Sequence, residues 1–419
     1  MKEERSAAET KRGAAAGCAA ETRRGAVAAK TARMAGMLCL ALVVSGIHPM
    51  TADASPDFAY STDRWSAMRD DVLEYGELAD LIHEYNATVI NNRLQYDDYR
   101  DKSHDDMKNA YQDIADHLND SSDKMMDMVN EDQATYGSAA ASSISARLQA
   151  EQNQELADAQ NEDGRVKKLE YDLQEAALVK DAQTMMVSYW QKAKERPALD
   201  EALSLAKSQH EAAEVKAGQG MMTQAELLAA REKLEAAQAD LETNQKEMDG
   251  LRRELCVMTG WSYDANPEIR EIPTPEDGEV SAIDLETDKE MAITASFTQT
   301  ANERRLKYTG VGSQQDAMEK KVESGRQQIK SDVEAKYKQL LQAQADYAQA
   351  EGEWNLAEKN ARSSERRFSL GTISQNQYLE QQGGQAAKQS AMDVAGLKYR
   401  QAMTDYRWAV NGLAQTEGA

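Results

Sequence analysis

The chain has 419 residues, 29% of them charged and 41% hydrophobic, with three Phe, six Pro and a formal net charge of -23. So few aromatics in so long a chain exclude several conventional aromatic-rich cores and point to long amphipathic helices, whose narrow Ala/Leu seams need few of them. The negative charge excludes nucleic acid as a partner, because such binding relies on clustered Lys and Arg, and it disfavours an anionic membrane surface by the same repulsion.

Ala35 to Ile47 (AGMLCLALVVSGI) is the only strongly apolar run, and it is too short to span a bilayer comfortably. Eight basic residues from Lys2 to Arg33 precede it and Ala52-Asp53-Ala54 follows. The segment therefore reads as a signal peptide over residues 1–54 with cleavage near Ser55, the alternative being an uncleaved anchor. Its removal takes away eight basic and five acidic residues, leaving 365 residues with 41 Lys/Arg against 67 Asp/Glu, a net charge of -26. Cys18 and Cys39 leave with it, and Cys256 alone cannot form an internal disulfide.

The acidic, methionine-bearing stretch from Asp105 to Gln133 is predicted to be helical and to lead into a Ser/Ala-rich connection at Gly137 to Ser145. A long helix then approaches Gly220, interrupted at Pro197, where the missing N–H and the ring predict a kink or a break. Past Gly220, Thr223-Gln-Ala-Glu226 fits a capping box, in which the hydroxyl accepts from the third helical amide and the carboxylate reaches back to the cap. The helix beyond it carries a heptad seam of Leu227, Ala230, Leu234, Ala237, Leu241, Asn244, Met248, Leu251, Leu255 and Met258. Pro267, Pro273 and Pro275 then mark a linker over residues 261–280. A shift of 151 positions brings the second half into register with the first: Gly371 matches Gly220, Ser374 matches Thr223, and Ser374-Gln-Asn-Gln377 is again a capping box. The second seam is Met392, Ala395, Tyr399, Ala402, Tyr406, Ala409 and Leu413. The expected fold is all-α, an elongated pair of tandem repeats (55–260 and 281–419) built from long antiparallel coiled-coil helical hairpins, with little or no β-barrel.

Leu205 to Leu228 (LAKSQHEAAEVKAGQGMMTQAELL), Leu356 to Leu379 (LAEKNARSSERRFSLGTISQNQYL) and the Leu-rich helix closing at Met258-Thr-Gly260 resemble the TolC-type outer-membrane efflux protein family. Leu78 to Arg93 and Ala292 to Arg305 look like the helices that open each repeat of that family. The resemblance implies a homotrimer whose hairpins form a tunnel and whose tips meet a periplasmic adaptor linked to an inner-membrane pump. It implies efflux or type I secretion as the process and the outer membrane of the cell envelope as the location. By motif, the tip residues are Gly220, Met221, Met222 and Thr223 in the first repeat and Leu370, Gly371, Thr372 and Ser374 in the second. Family members insert two barrel strands per repeat, expected here near Tyr136 to Gly164 and Thr309 to Gly325. Neither stretch alternates apolar with polar residues, so no membrane strand is expected. The alternative is a structural coiled-coil protein of the envelope with no transport role.

No catalytic or cofactor chemistry is expected. Histidines 83, 104, 117 and 210 are scattered, and His104 with His117 amid aspartates has no recognised metal spacing. Gly218-Gln-Gly220 lacks the strand and lysine of a phosphate loop and reads as a hairpin turn. Cys256, between Leu255 and Met258, reads as a packed thiol, and Met125, Met126 and Met128 as core.

Overall fold

Short polar side chains fix where the helices begin in the computed structural model, which describes residues 59–128, 134–275 and 277–416. The expected signal segment, 1–54, lies outside those residues. Ser61 caps α1 (Thr62–Ala67), which is followed by β1 (Val72–Leu73). α2 (Leu78–Tyr85) and α3 (Ala87–Asp97) meet at Asn86, whose side-chain oxygen accepts from the amides of Thr88 and Val89. Ser103 and Asp106 form a capping box for α4 (His104–Asp127), and α5 (Tyr136–Ala159) runs back beside it. Asp163 caps α6 (Gly164–Gly218), a helix of 55 residues, and α7 (Gln224–Met258) returns along it. β2 (Glu268–Ile269) and α8 (Asp277–Ser281) lead to α9 (Leu285–Ala295) and α10 (Phe297–Tyr308), which meet at Ser296 as α2 and α3 meet at Asn86. α11 (Ser313–Ser369) and α12 (Gln375–Trp408) form the last hairpin, which closes in one π turn over Ala409–Leu413. At about 1.5 Å per residue, α6 and the 57 residues of α11 each run for roughly 80 Å.

The described residues are therefore all-α hairpins in two tandem repeats, as the periodicity implies. None of the seam residues named above is exposed, and Asn244, Leu255, Tyr399, Tyr406 and Ala409 are buried. The two repeats join through α6 and α12, which lie side by side and antiparallel. Lys180 pairs with Asp405 at 3.2 Å, Gln401 donates to Thr184 Oγ1 at 3.0 Å, and the Trp408 indole donates to Gln183 at 2.7 Å. One core gathers Trp65, Met68, Leu73, Leu78 and Ile82 against Val179, Met186 and Leu255. A second packs Ile329, Val333 and Leu340 of α11 on Tyr399, Met403 and Tyr406 of α12. Each such side chain contributes about 1.5–3 kcal/mol by leaving water.

Four findings refine the sequence reading. Helix α6 runs unbroken through Pro197. Its neighbour α7 supports the helix there: Asn244 donates its amide to the Lys192 carbonyl at 3.1 Å, and Arg196 bonds Gln245. Packing along a long partner thus offsets the cost of the lost amide. The Ser/Ala-rich stretch Gly137 to Ser145 is no connection but the first turns of α5, because Ala favours helix and small residues let α4 and α5 approach closely. Ser122 and Ser143, both buried, share a hydrogen bond of 2.7 Å at that contact. The Pro-rich linker is a packed strap. Glu268 N–H donates to the Asp71 carbonyl and Arg270 N–H to that of Leu73, so β2 pairs in parallel with β1, and Ile269 and Ile272 are buried. Finally, the two places reserved for barrel strands are helical or turn: α5 fills the first, and the second is a turn over residues 309–312 followed by α11.

Asn86 and Ser296, the junctions that open the repeats, are 210 positions apart, whereas Gly220 and Gly371 are 151 apart. The 59 extra residues of the first repeat are α4, α5 and the turns around them. This extra hairpin is attached at its base, where Gly164 N–H donates to the Lys102 carbonyl at 3.0 Å and His104 stacks on Tyr308 with ring centroids 4.4 Å apart. A Cβ on Gly164 would lie 2.0 Å from the Tyr99 carbonyl, so only glycine lets the base close.

Candidate functional site: the hairpin tips

Each long hairpin turns through a glycine in the left-handed region, φ +71° at Gly220 and +69° at Gly371, where any other residue is strained. The residue after each glycine donates its amide back across the turn, Met221 to Lys216 at 2.8 Å and Thr372 to Arg367 at 2.9 Å. These bonds satisfy carbonyls that the helix ends would otherwise leave open. Both capping boxes form. Thr223 Oγ1 accepts from the Glu226 amide at 3.3 Å while Glu226 accepts from the Thr223 amide at 2.8 Å. At Ser374 and Gln377 the same two distances are 3.3 and 2.9 Å. The Thr223 amide and then its hydroxyl, both donating to the Glu226 carboxylate, hold that group below its ordinary pKa. The two turns are the same structure built twice.

The apolar residues on these turns divide into two kinds. Met222 and Ile373 precede the caps and are half-buried, as are Leu227 and Tyr378 five positions on, in the places a hydrophobic staple uses. Met221 and Leu370 are instead 67% and 77% exposed. Phe368 stacks on Tyr378 with centroids 4.5 Å apart and rings 5° from parallel, which stiffens the second tip just behind Leu370. Gly220, Thr223, Gly371, Thr372 and Ser374 are all exposed.

Both turns lie at the same end of the α6–α12 pair, but at different levels. Ser208 Oγ donates to Asn376 Oδ1 at 2.6 Å, so a point twelve residues short of Gly220 on α6 faces the first turn of α12. The first tip therefore projects beyond the second by about six or seven residues, or roughly 10 Å at the helical rise. Pattern reasoning locates each tip but not this offset, because the register of α6 against α12 is set by pairs such as Lys180 with Asp405 that no local signal announces.

Of the sites set aside in the sequence, the methionines expected in the core are not there, Met125 and Met128 being exposed at the end of α4 and Met126 only half-buried, and the others have ordinary surroundings. Cys256 is buried, its Sγ 3.7 Å from the Ala265 carbonyl, and burial raises its pKa, which disfavours the reactive thiolate. His104 lies between Tyr308 and the Gln160 carbonyl. His83 has a partner that sequence reasoning missed, Glu175 of α6, at 2.7 Å. No local signal in the sequence announces that contact.

The chain matches no protein-family model and no curated protein. It is similar to several solved outer-membrane channels. For the CmeC outer membrane channel of Campylobacter jejuni the identity is 9% and the TM-score 0.48, over 85% of this chain and 89% of that one. The outer-membrane channel OprN gives 14% identity and a TM-score of 0.47, over 87% and 97%. The outer membrane protein VceC of Vibrio cholerae gives 11% and 0.41, over 81% and 97%.

Proposed function

We propose that the chain is an exported, trimeric, TolC-type component of an efflux or type I secretion assembly. It acts without catalysis as a helical conduit wall of the cell envelope and docks a periplasmic-type adaptor through its two tips. In this reading residues 1–54 are a cleaved signal, residues 55–260 and 281–419 are the repeats, and residues 261–280 join them. The observation that carries the reading is the doubled tip. Two turns of identical hydrogen bonding, 151 residues apart and at one end of the molecule, each hold a large apolar side chain in solvent. Clustered exposed apolar surface marks an interaction site, and Val215, Leu228 and Phe368, within about two helical turns of Met221 or Leu370, are exposed as well.

The experiment replaces Gly220 and Gly371 by Val. A Cβ at either position meets nothing within 4 Å, so the strain is confined to the turn and helix content is retained. Adaptor binding by the trimer should fall at least tenfold, and unchanged affinity in both variants refutes tip docking. Intact-mass analysis of protein from the native host should find Ser55 or a close neighbour as the first residue; retention of Met1 would refute signal cleavage.

One observation favours a second reading, an envelope coiled-coil protein with no transport role. Where the TolC-type family places barrel strands, the first repeat has the α4–α5 hairpin and the second a short turn before α11. Electron microscopy separates the two, since a closed three-fold tube supports the conduit and a solid monomeric or dimeric rod supports the rival.

A further inference from the structure

The body of the molecule, away from the tips, holds a cavity of about 430 Å³ between α2, α3 and α6, with Phe297 and Trp408 closing one side. Its wall is mostly apolar, with Val89, Ala176 and Val179 beside those two rings. Its charged groups are nearly all neutralised within the wall. His83 Nδ1 lies 2.7 Å from Glu175 Oε1, and Lys168 Nζ lies 2.9 Å from Asp172 Oδ1. Arg93 is different. Its Nη2 donates to the His83 carbonyl at 2.7 Å, and among the described residues no carboxylate pairs with it. A half-buried guanidinium with one neutral acceptor has four further N–H donors to direct elsewhere. With His83 neutral the lining charges cancel, Arg93 and Lys168 against Asp172 and Glu175, so what the hollow offers an anion is the open N–H donors of the Arg93 guanidinium.

We propose that this cavity binds an amphipathic organic anion, its acidic head on the Arg93 guanidinium and its apolar body against Val89, Ala176, Val179, Phe297 and Trp408. A cation is disfavoured because Asp172 and Glu175 already have partners, and a small inorganic anion would leave the apolar wall wet. Arg suits the role because its planar fork accepts a carboxylate through two parallel bonds. The site is independent of the tips and holds whether or not they dock an adaptor.

Octanoate and its neutral counterpart 1-octanol are suitable probes, titrated calorimetrically against the intact protein. The wild type should prefer octanoate by tenfold or more, the scale of a charge-assisted hydrogen bond. Arg93→Gln should lose that preference while still binding 1-octanol, and Arg93→Lys should keep part of it. Ala79→Trp, placed on the exposed rim of the cavity, should weaken both probes. Equal affinity of the wild type for the two probes overturns the proposal, as does an undiminished preference in Arg93→Gln or no octanoate binding at all.

Discussion

Alanine replacements at Gly371 and Gly260 should differ sharply in cost although the backbone is left-handed at both, φ +69° and +80°. At Gly371 an added Cβ meets nothing within 4 Å, so the loss is backbone strain alone, about 1–2 kcal/mol. At Gly260 the same Cβ would lie 2.3 Å from Tyr85 Cβ and 3.0 Å from the Tyr85 carbonyl. Tyr85 cannot give way cheaply. It packs on the first core, and its neighbour Asn86 donates to the Met258 carbonyl at 2.9 Å, tying the end of α2 to the end of α7. Overpacking adds about 1–3 kcal/mol, for a total of about 2–5 kcal/mol. Urea unfolding followed by helical circular dichroism, at one protein concentration, should therefore show a small shift in midpoint for Gly371→Ala and a shift at least twice as large for Gly260→Ala. Equal shifts would show that the clash read from the backbone is relieved at no cost, and would refute the reasoning.

Two further outcomes follow from the packing. The hydrogen bond that His83 donates to the Glu175 carboxylate, the largest influence on it, raises the pKa of that imidazole above its ordinary 6.5. The stabilisation is then complete below that value and lost as pH rises through the elevated one, so His83→Gln should lower the melting temperature more at about pH 5.5 than at about pH 8.5, and equal losses would rule the linkage out. Replacing residues 104–159 by a short Gly-Ser turn should shift the melting temperature of the remainder by only a few degrees, because the chain ends already meet at Lys102 and Gly164; global unfolding of the shortened protein would show that α4 and α5 support the body.

The tips were legible from sequence because their determinants are local. Glycine followed three residues on by a hydroxyl, and three further by Glu or Gln, specifies a left-handed turn and a cap whatever else the chain does. The seams were legible because a period of 3.5 survives averaging over many turns. What escaped depends on distant partners. A Ser/Ala run such as Gly137 to Ser145 resembles a loop until α4 lies along it, with Ser122 bonded to Ser143 at the contact. Pro197 resembles a break until α7 lies along it. The linker's prolines mark an end of helix but not the pairing of Ile269 with Leu73, residues nearly two hundred positions apart. Arg93 carries no signal at all in sequence, since its significance is the absence of a carboxylate that only the folded wall reveals.

The side-by-side packing of α6 and α12 also dictates an order of events when the chain is made. The α4–α5 and α6–α7 hairpins close over short loops and can form as soon as they emerge, the kind of local contact that forms fast. Their junction with the second repeat cannot. Val179, Gln183 and Thr184 of α6 wait for Leu397, Gln401 and Trp408, more than two hundred residues later. For a polypeptide made from its N-terminus, the apolar flank of α6 stays uncovered through most of synthesis, until the 34 residues of α12 shut it. A chain that stops short of Gln375 presents that flank permanently to solvent, a surface that holding chaperones and proteases are suited to read as unfinished.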